Sequence, residues 1–213
     1  MQPPSPPAAR QVGQPPAAVV AAVAADFGRQ MLAAFPEVEC GSKELPPVKH
    51  KVVHVIDTGS SQPIAQRYRR LDAEKLAAAK AEFASLEKQG IIRRSSSSWA
   101  SPLHMVRKAD GSWRPCGDYR RLNLATKRDC YPPPHIEDLA AQLKGKVVFT
   151  KLDLRKGYHQ IPVAEADRCK TAVITPFGLF EYNRMSFGLM NAGQSFQRMM
   201  DDVLGDIPHC HRS

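Results

Sequence analysis

The run from Val147 to Tyr158, V-V-F-T-K-L-D-L-R-K-G-Y, restricts what this chain can fold into more than any other stretch. Apolar, largely β-branched residues lead to one acidic residue, Asp153, set between Leu152 and Leu154. Read as a strand, the run turns Leu152 and Leu154 to one buried face and Asp153 to the other. A carboxylate at the end of a buried strand is costly unless it caps a turn, pairs with a base or binds a metal. From this stretch alone all three roles stay open.

Helical and extended segments surround that run without regular alternation, so the expected class is α+β. Residues 1–18, with Pro-Pro pairs among Gln and Ala, are expected to be a disordered tail. Residues 19–66 read as a linker or leader with one helix and one strand. The helix, 19–35, has Val19, Val23, Phe27, Met31, Leu32 and Phe35 near one face and stops at Pro36. The strand covers Lys51 to Ile56.

A capped helix follows: Asp72 opens it, Leu76, Ala79, Phe83 and Leu86 form its buried stripe, and Gly90 ends it. Trp99 to Lys108 reads as a strand turning at Asp110-Gly111 into Trp113–Cys116. A short helix is expected over Ile136–Leu143. Thr171–Ile174 and Phe180–Met185 are expected to pair across Pro176-Phe177-Gly178. A final helix covers Asn191–Leu204, with Asn191 as its cap and Phe196, Met199, Met200 and Val203 on its apolar face.

Charge narrows the partners. The 213 residues carry a formal net charge of +9, which attracts polyanions such as nucleic acid. Basic residues cluster with aromatics at Tyr68–Arg70, Arg93-Arg94, Arg107-Lys108, Trp113-Arg114, Tyr119–Arg121 and Arg155–Tyr158. Phosphate contacts with base stacking would use such a mixture, and a solvated charged face would look the same. The five cysteines contain no C-x-x-C pair, which fits a reducing, intracellular compartment better than a disulfide framework or zinc site. The apolar run Ala17–Ala25 is too short to span a bilayer. Asp57-Thr58-Gly59-Ser60 imitates an aspartic protease loop, but no second D-T/S-G exists and polar, basic residues follow it, so a turn built on Asp, Thr and Gly is the expectation.

From about Leu45 to Pro208 the chain closely resembles the start of the reverse transcriptase domain of gypsy-type LTR retrotransposons. The blocks that carry the resemblance are R-Y-R-R-L-D-A-E-K at 67–75, S-W-A-S-P-L-H-M-V-R-K-A-D-G-S-W-R-P-C-G-D-Y-R-R-L-N at 98–123 and Y-P-P-P-H-I at 131–136. They continue as F-T-K-L-D-L-R-K-G-Y-H-Q-I-P-V at 149–163, K-T-A-V-I-T-P-F-G-L-F-E-Y at 170–182 and M-S-F-G-L-M-N-A-G-Q-S-F-Q-R-M-M-D at 185–201. The resemblance implies fingers and a partial palm over 67–213 and RNA-directed DNA synthesis in cytoplasmic particles or the nucleus. It implies RNA/DNA template–primer and dNTPs as ligands, and Gag, protease, RNase H and integrase as possible parts of the same polyprotein. His54–Gly59 then resembles the polymerase leader rather than a protease loop.

The resemblance also assigns residues. Asp153 is similar to the first metal-binding, catalytic aspartate of the palm, where paired carboxylates hold two Mg²⁺ ions about 3.5–4 Å apart. The backbone carbonyl of Leu154 is a second metal ligand. Arg114 is similar to the arginine that contacts the triphosphate as a fork, with Lys108, or less surely Arg107, as a point charge beside it. Tyr158 matches the bulky residue that excludes a 2′-hydroxyl, and Phe187-Gly188 the turn bordering the nucleotide. Arg93, Arg94, Arg107 and Arg120 are the expected nucleic-acid contacts.

The family pattern runs on into a strand bearing Y-x-D-D, a motif the 213 residues do not contain. Asp201 and Asp202 are expected to be solvent-facing acids, not replacements for it. The expectation is a truncated piece, inactive as a polymerase by itself. The alternative is a domesticated, non-catalytic nucleic-acid-binding protein, with an aspartic protease a distant third.

Overall fold

A computed structural model describes residues 17–35, 45, 47–133, 135, 137, 141, 143–145 and 153–205, with side chains from residue 26 onward. Helix α1, Ala17–Ala34, falls in a unit of its own and ends ahead of Pro36. It includes residues 17 and 18 of the expected tail; the rest of that tail lies outside the described residues. So do residues 147–152 of the strand expected to carry Asp153 and Leu154, and most of the helix expected over 136–143.

The second unit is built on a five-stranded sheet, β1-β5-β4-β2-β3. Its elements in chain order are helix α2 (Ala73–Lys88), β1 (Ile92–Arg94), β2 (Ser101–Arg107), β3 (Trp113–Gly117), α3 (Arg120–Ala125), β4 (Val173–Thr175), β5 (Gly178–Tyr182) and α4 (Ala192–Leu204). Tight 3-10 turns cover Gly157–Gln160 and Glu165–Thr171. The class is α+β, as the mixed pattern predicts.

Local chemistry explains the elements. Asp72 accepts a hydrogen bond from Lys75 N at 2.8 Å, capping α2, and Gly90 beyond its end takes φ +67°. Ala79, Phe83 and Leu86 recur at helical spacing and are buried, while Leu76 is half-buried. Phe83 meets Phe180 edge-on with ring centres 5.0 Å apart, and Phe177 at 5.5 Å, joining α2 to the sheet. Truncating Phe83 to alanine removes packing worth about 3–5 kcal/mol.

The β2–β3 hairpin turns at Asp110-Gly111, where Gly111 takes φ +82°. Thr175 pairs with Gly178 across Pro176-Phe177, so β4 and β5 form the expected antiparallel pair. The central contact is parallel: Ser101 lies opposite Val173 and Pro102 opposite Ile174.

Two expectations change. Residues 51–56 form no strand; they run as an extended strap with one bridge, His54 to Val163. Ile56 N donates to Asp167 Oδ2 at 2.9 Å, so a side chain takes the place of a ladder partner. The strap belongs to the same unit as the sheet rather than to a linker. Asn191 occupies the N-cap position of α4, but its side chain makes no capping hydrogen bond. It sits at φ +64° and its side chain bonds backward to the 127–129 segment. In α4 Met199 is buried, Phe196 and Met200 are half-buried, and Val203 is exposed.

Candidate nucleotide and nucleic-acid site

Three elements converge beside the β2–β3 hairpin. Gly117 ends β3, and a Cβ placed there would lie 2.5 Å from Tyr119 Cζ, so only glycine lets the Tyr119 ring lie against the strand. Tyr119 is buried, and its hydroxyl donates to Thr171 O at 2.9 Å. Burial pushes its phenol well above the usual range. The base-stacking role open to Tyr119 in the sequence is therefore excluded.

The Gly188 turn settles on this base. With φ +84°, its would-be Cβ falls 3.6 Å from Gly117 O and 3.7 Å from Tyr119 Cδ2. Phe187, one residue earlier, remains 40 % exposed. Its ring lies 5.0 Å from that of Tyr158, which in turn meets Phe196 at 5.6 Å. The Arg114 guanidinium also stands 5.2 Å from the Phe187 ring centre. The geometry thus brings together Arg114, Tyr158 and the adjacent pair Phe187-Gly188, from three places widely spaced in sequence. The exposed aromatic face beside a cation suits a planar, anionic ligand.

His159 supports the platform from behind. It is buried, its ring centre lies 6.0 Å from that of Phe187, and its Nδ1 donates to Met185 O at 3.0 Å. Burial lowers its pKa and keeps the ring neutral.

Asp153 and Leu154 are exposed and lie outside any strand, at the start of the turn leading to Tyr158. Leu154, at 38 % exposure, departs from the buried position expected of it. The alternation fails because the chain turns at 155–156, where Lys156 adopts φ +51°. Among the described residues no group of three or more His, Cys, Asp or Glu could hold a metal ion. Asp153 alone offers one hard oxygen side chain, so the described residues do not assemble a two-metal site.

The basic residues divide. Arg93 Nε donates to Glu181 Oε1 at 2.6 Å. Arg94 stacks over Phe180 at 4.5 Å and stands 3.6 Å from Glu87. Arg120 bonds both oxygens of Asp118, at 2.8 and 2.7 Å. That pair, with Arg69 behind it, holds the Asp118 carboxyl far below the usual range. These arginines are anchored by acids, unlike the exposed Arg107, which has no carboxylate partner among the described residues; Lys108, also exposed, lies close enough to Asp110 to help lower its pKa.

Other assignments also resolve. Asp57 Oδ1 accepts from Gly59 N at 2.8 Å, closing a turn, and Asp57 Oδ2 accepts from Lys127 at 2.9 Å, as a turn rather than a protease loop requires. Asp201 is not simply solvent-facing: it accepts from the Tyr131 hydroxyl and from Gln197 Nε2. Asp202 is exposed, 3.5 Å from Lys51 N. Trp113 docks on α2, donating to Glu74 at 2.8 Å with Lys75 over its ring. No helix among the described residues is long and apolar enough to cross a membrane.

Asn123 was not singled out by the sequence reading. Its Nδ2 donates to Gly188 O and its Oδ1 accepts from Met190 N, both at 2.8 Å. No local pattern announces it, because its partners lie more than sixty residues away.

Known proteins resemble this chain in sequence and fold. Residues 106–212 match the family described as "Reverse transcriptase (RNA-dependent DNA polymerase)". Members of that family generally use divalent metal ions. The transposon Tf2-7 and Tf2-3 polyproteins of Schizosaccharomyces pombe are each 36% identical over 174 residues, covering 81% of this chain and 13% of the relative. The chain therefore spans about an eighth of the length of those curated relatives.

Among solved structures, native prototype foamy virus protease-reverse transcriptase gives a TM-score of 0.69 at 23% identity, covering 86% of this chain and 25% of that one. The foamy viral enzyme in complex with an RNA/DNA hybrid gives 0.70 at 20% identity, covering 97% and 29%. At those identities the likeness establishes the fold.

Proposed function

The chain belongs to the reverse transcriptase family, and on that premise we propose that its 213 residues form the fingers and first part of the palm of an enzyme that copies RNA into DNA. The observation that carries this reading is the Arg114–Phe187–Tyr158 arrangement beside the β2–β3 hairpin. An incoming dNTP would place its triphosphate at Arg114, whose planar fork suits paired phosphate oxygens, with Lys108 as a second contact. Tyr158, backed by Phe196 and Phe187, would face the sugar and exclude a 2′-hydroxyl. Arg107 extends the positive surface toward a template–primer duplex.

Asp153, with the Leu154 carbonyl, would be this chain's contribution to binding Mg²⁺. Such ions neutralise charge on the polyphosphate when bound. The described residues do not complete that site, and binding and orientation are what this chain's own side chains supply. By analogy with the polyprotein relatives, Gag, protease, RNase H and integrase are the expected neighbours in the same product.

A second reading, nucleic-acid binding without catalysis, is favoured by one observation: neither Arg107 nor Arg114 faces an acid across the β2–β3 ladder. One experiment addresses both. The purified chain is mixed with a primer–template duplex and dATP, and binding and primer extension are followed together. Binding of both ligands, lost for dATP in R114A, with no extension, is the expected result. Failure to bind dATP would refute the nucleotide site; Mg²⁺-dependent extension by the 213-residue chain would refute the claim that it only binds.

A further inference from the structure

We propose that Asn123 is a positioning residue that sets the Phe187-Gly188 turn and thereby the sugar selectivity of the nucleotide site; this rests on the nucleotide-site reading above. The turn has little regular structure of its own. Gly188 lies at φ +84°, outside any ladder, and Phe187 projects from it half-exposed. Both ends of the Asn123 amide are spent on that turn, Nδ2 donating to Gly188 O and Oδ1 accepting from Met190 N.

Asn123 is itself held. Its backbone N–H donates to Tyr119 O at 2.7 Å, and its neighbour Leu122 is buried. A second amide closes the brace from the opposite side: Asn191 Oδ1 accepts from Asp129 N at 3.0 Å, and Asn191 Nδ2 donates to Lys127 O at 2.8 Å. Segments 123–129 and 188–191 are thus each bonded to the other's backbone by a side-chain amide. A side-chain amide supplying a donor and an acceptor to one turn fixes both its position and its rotation.

Loss of the Asn123 amide frees Gly188 O and Met190 N and lets Phe187 drift relative to Tyr158, whose ring it now meets at 5.0 Å. A displacement of this kind changes how the site fits one sugar against the other, and selectivity is that difference. A purely structural role would instead weaken binding of every nucleotide alike.

The test titrates the 213-residue chain, on a primer–template duplex with a templating thymidine, with dATP and with ATP. The proposal expects wild type to prefer dATP. N123A should lose about tenfold of that preference and show faster exchange of the Met190 amide. N123D keeps the acceptor for Met190 N but sets a carboxylate oxygen against Gly188 O where the donor stood, and should also lose the preference. R114A should weaken both nucleotides and leave their ratio intact.

A folded N123A with an unchanged dATP-to-ATP ratio overturns the proposal. If N123A does not fold, an unchanged ratio in N123D overturns it instead. Wild type that binds neither nucleotide removes the nucleotide-site reading itself, a failure seen before any variant is compared.

Discussion

Arg93 on β1 and Arg107 on β2 carry the same charge on the same sheet, yet their surroundings differ. The antiparallel register of β1 and β5 sets Arg93 opposite Glu181, and the two are bonded at 2.6 Å. The register of β2 and β3 sets Arg107 opposite Trp113 and Val106 opposite Arg114, so neither hairpin arginine faces an acid across the ladder. Arg94 and Arg120 follow Arg93, each with a carboxylate in reach. Clusters that look equivalent in sequence therefore divide into a pinned set that ties the body together and an open set with no acid across the ladder. A carboxylate within reach makes the distinction, across the ladder for Arg93, from α2 for Arg94 and from the adjoining turn for Arg120, and charge density does not.

Acid should separate the body from the hairpin most strongly. His54 is fully buried, shares a 2.8 Å hydrogen bond between its Nδ1 and Ser195 Oγ, and leaves Nε2 without a partner. Burial pushes its pKa down to about 4, against the pull of Asp167 and Asp129. The native state therefore binds this proton less readily than the unfolded chain. Stability is full above pH 6.5 and falls as pH drops toward 4, by up to about 3 kcal/mol. Urea unfolding at stepped pH would check this, and a flat response between pH 6.5 and 4 would contradict it.

Next in size is the acid beneath the pinned set. Glu181 is buried and accepts from both Arg93 Nε and Ser95 Oγ. Glu181→Ala should cost about 2 kcal/mol of stability, because charge-assisted hydrogen bonds are lost, while dATP affinity stays unchanged. Equal losses in unfolding and in binding would erase the distinction between the two sets. The converse substitution, Arg114→Ala, should leave the unfolding midpoint unmoved and lower dATP affinity by about tenfold or more, measured calorimetrically.

The smallest effect is the most direct contrast. Arg107→Ala should reduce the slope of log affinity against log salt for a duplex by about one, as loss of one phosphate contact does. Arg93→Ala should change that slope less, since its guanidinium is already paired. Matching slopes in the two variants would show that pinning does not withdraw an arginine from nucleic acid.

What could be read in advance was chemistry written locally. The Asp72 cap, the Asp110-Gly111 hairpin and the turn at Pro176-Phe177 all depend on residues within a few positions of one another, and all three formed. Residues 51–56 misled because alternating β-branched residues fit an extended strap as well as a strand, and the partner that decided it, Asp167, lies far along the chain. Asn191 misled for a related reason: a positive φ and two backward hydrogen bonds outcompeted a cap. Arg114, Tyr158 and Phe187-Gly188 were picked out by resemblance. Their mutual stacking, and the hold of Asn123 on the turn, depended on tertiary placement that no local pattern encodes.

The parallel pairing of Ser101-Pro102 with Val173-Ile174 also bears on how the molecule comes into being. During synthesis β2 leaves the ribosome with β3 on one edge and nothing on the other until the chain has been made through β4. At about 5–20 residues per second, that edge waits several seconds. For that interval the nascent hairpin offers a bare strand to any neighbouring chain. Spacing between ribosomes on the message would thus govern how much of the product is caught in aggregates before its own β4 arrives.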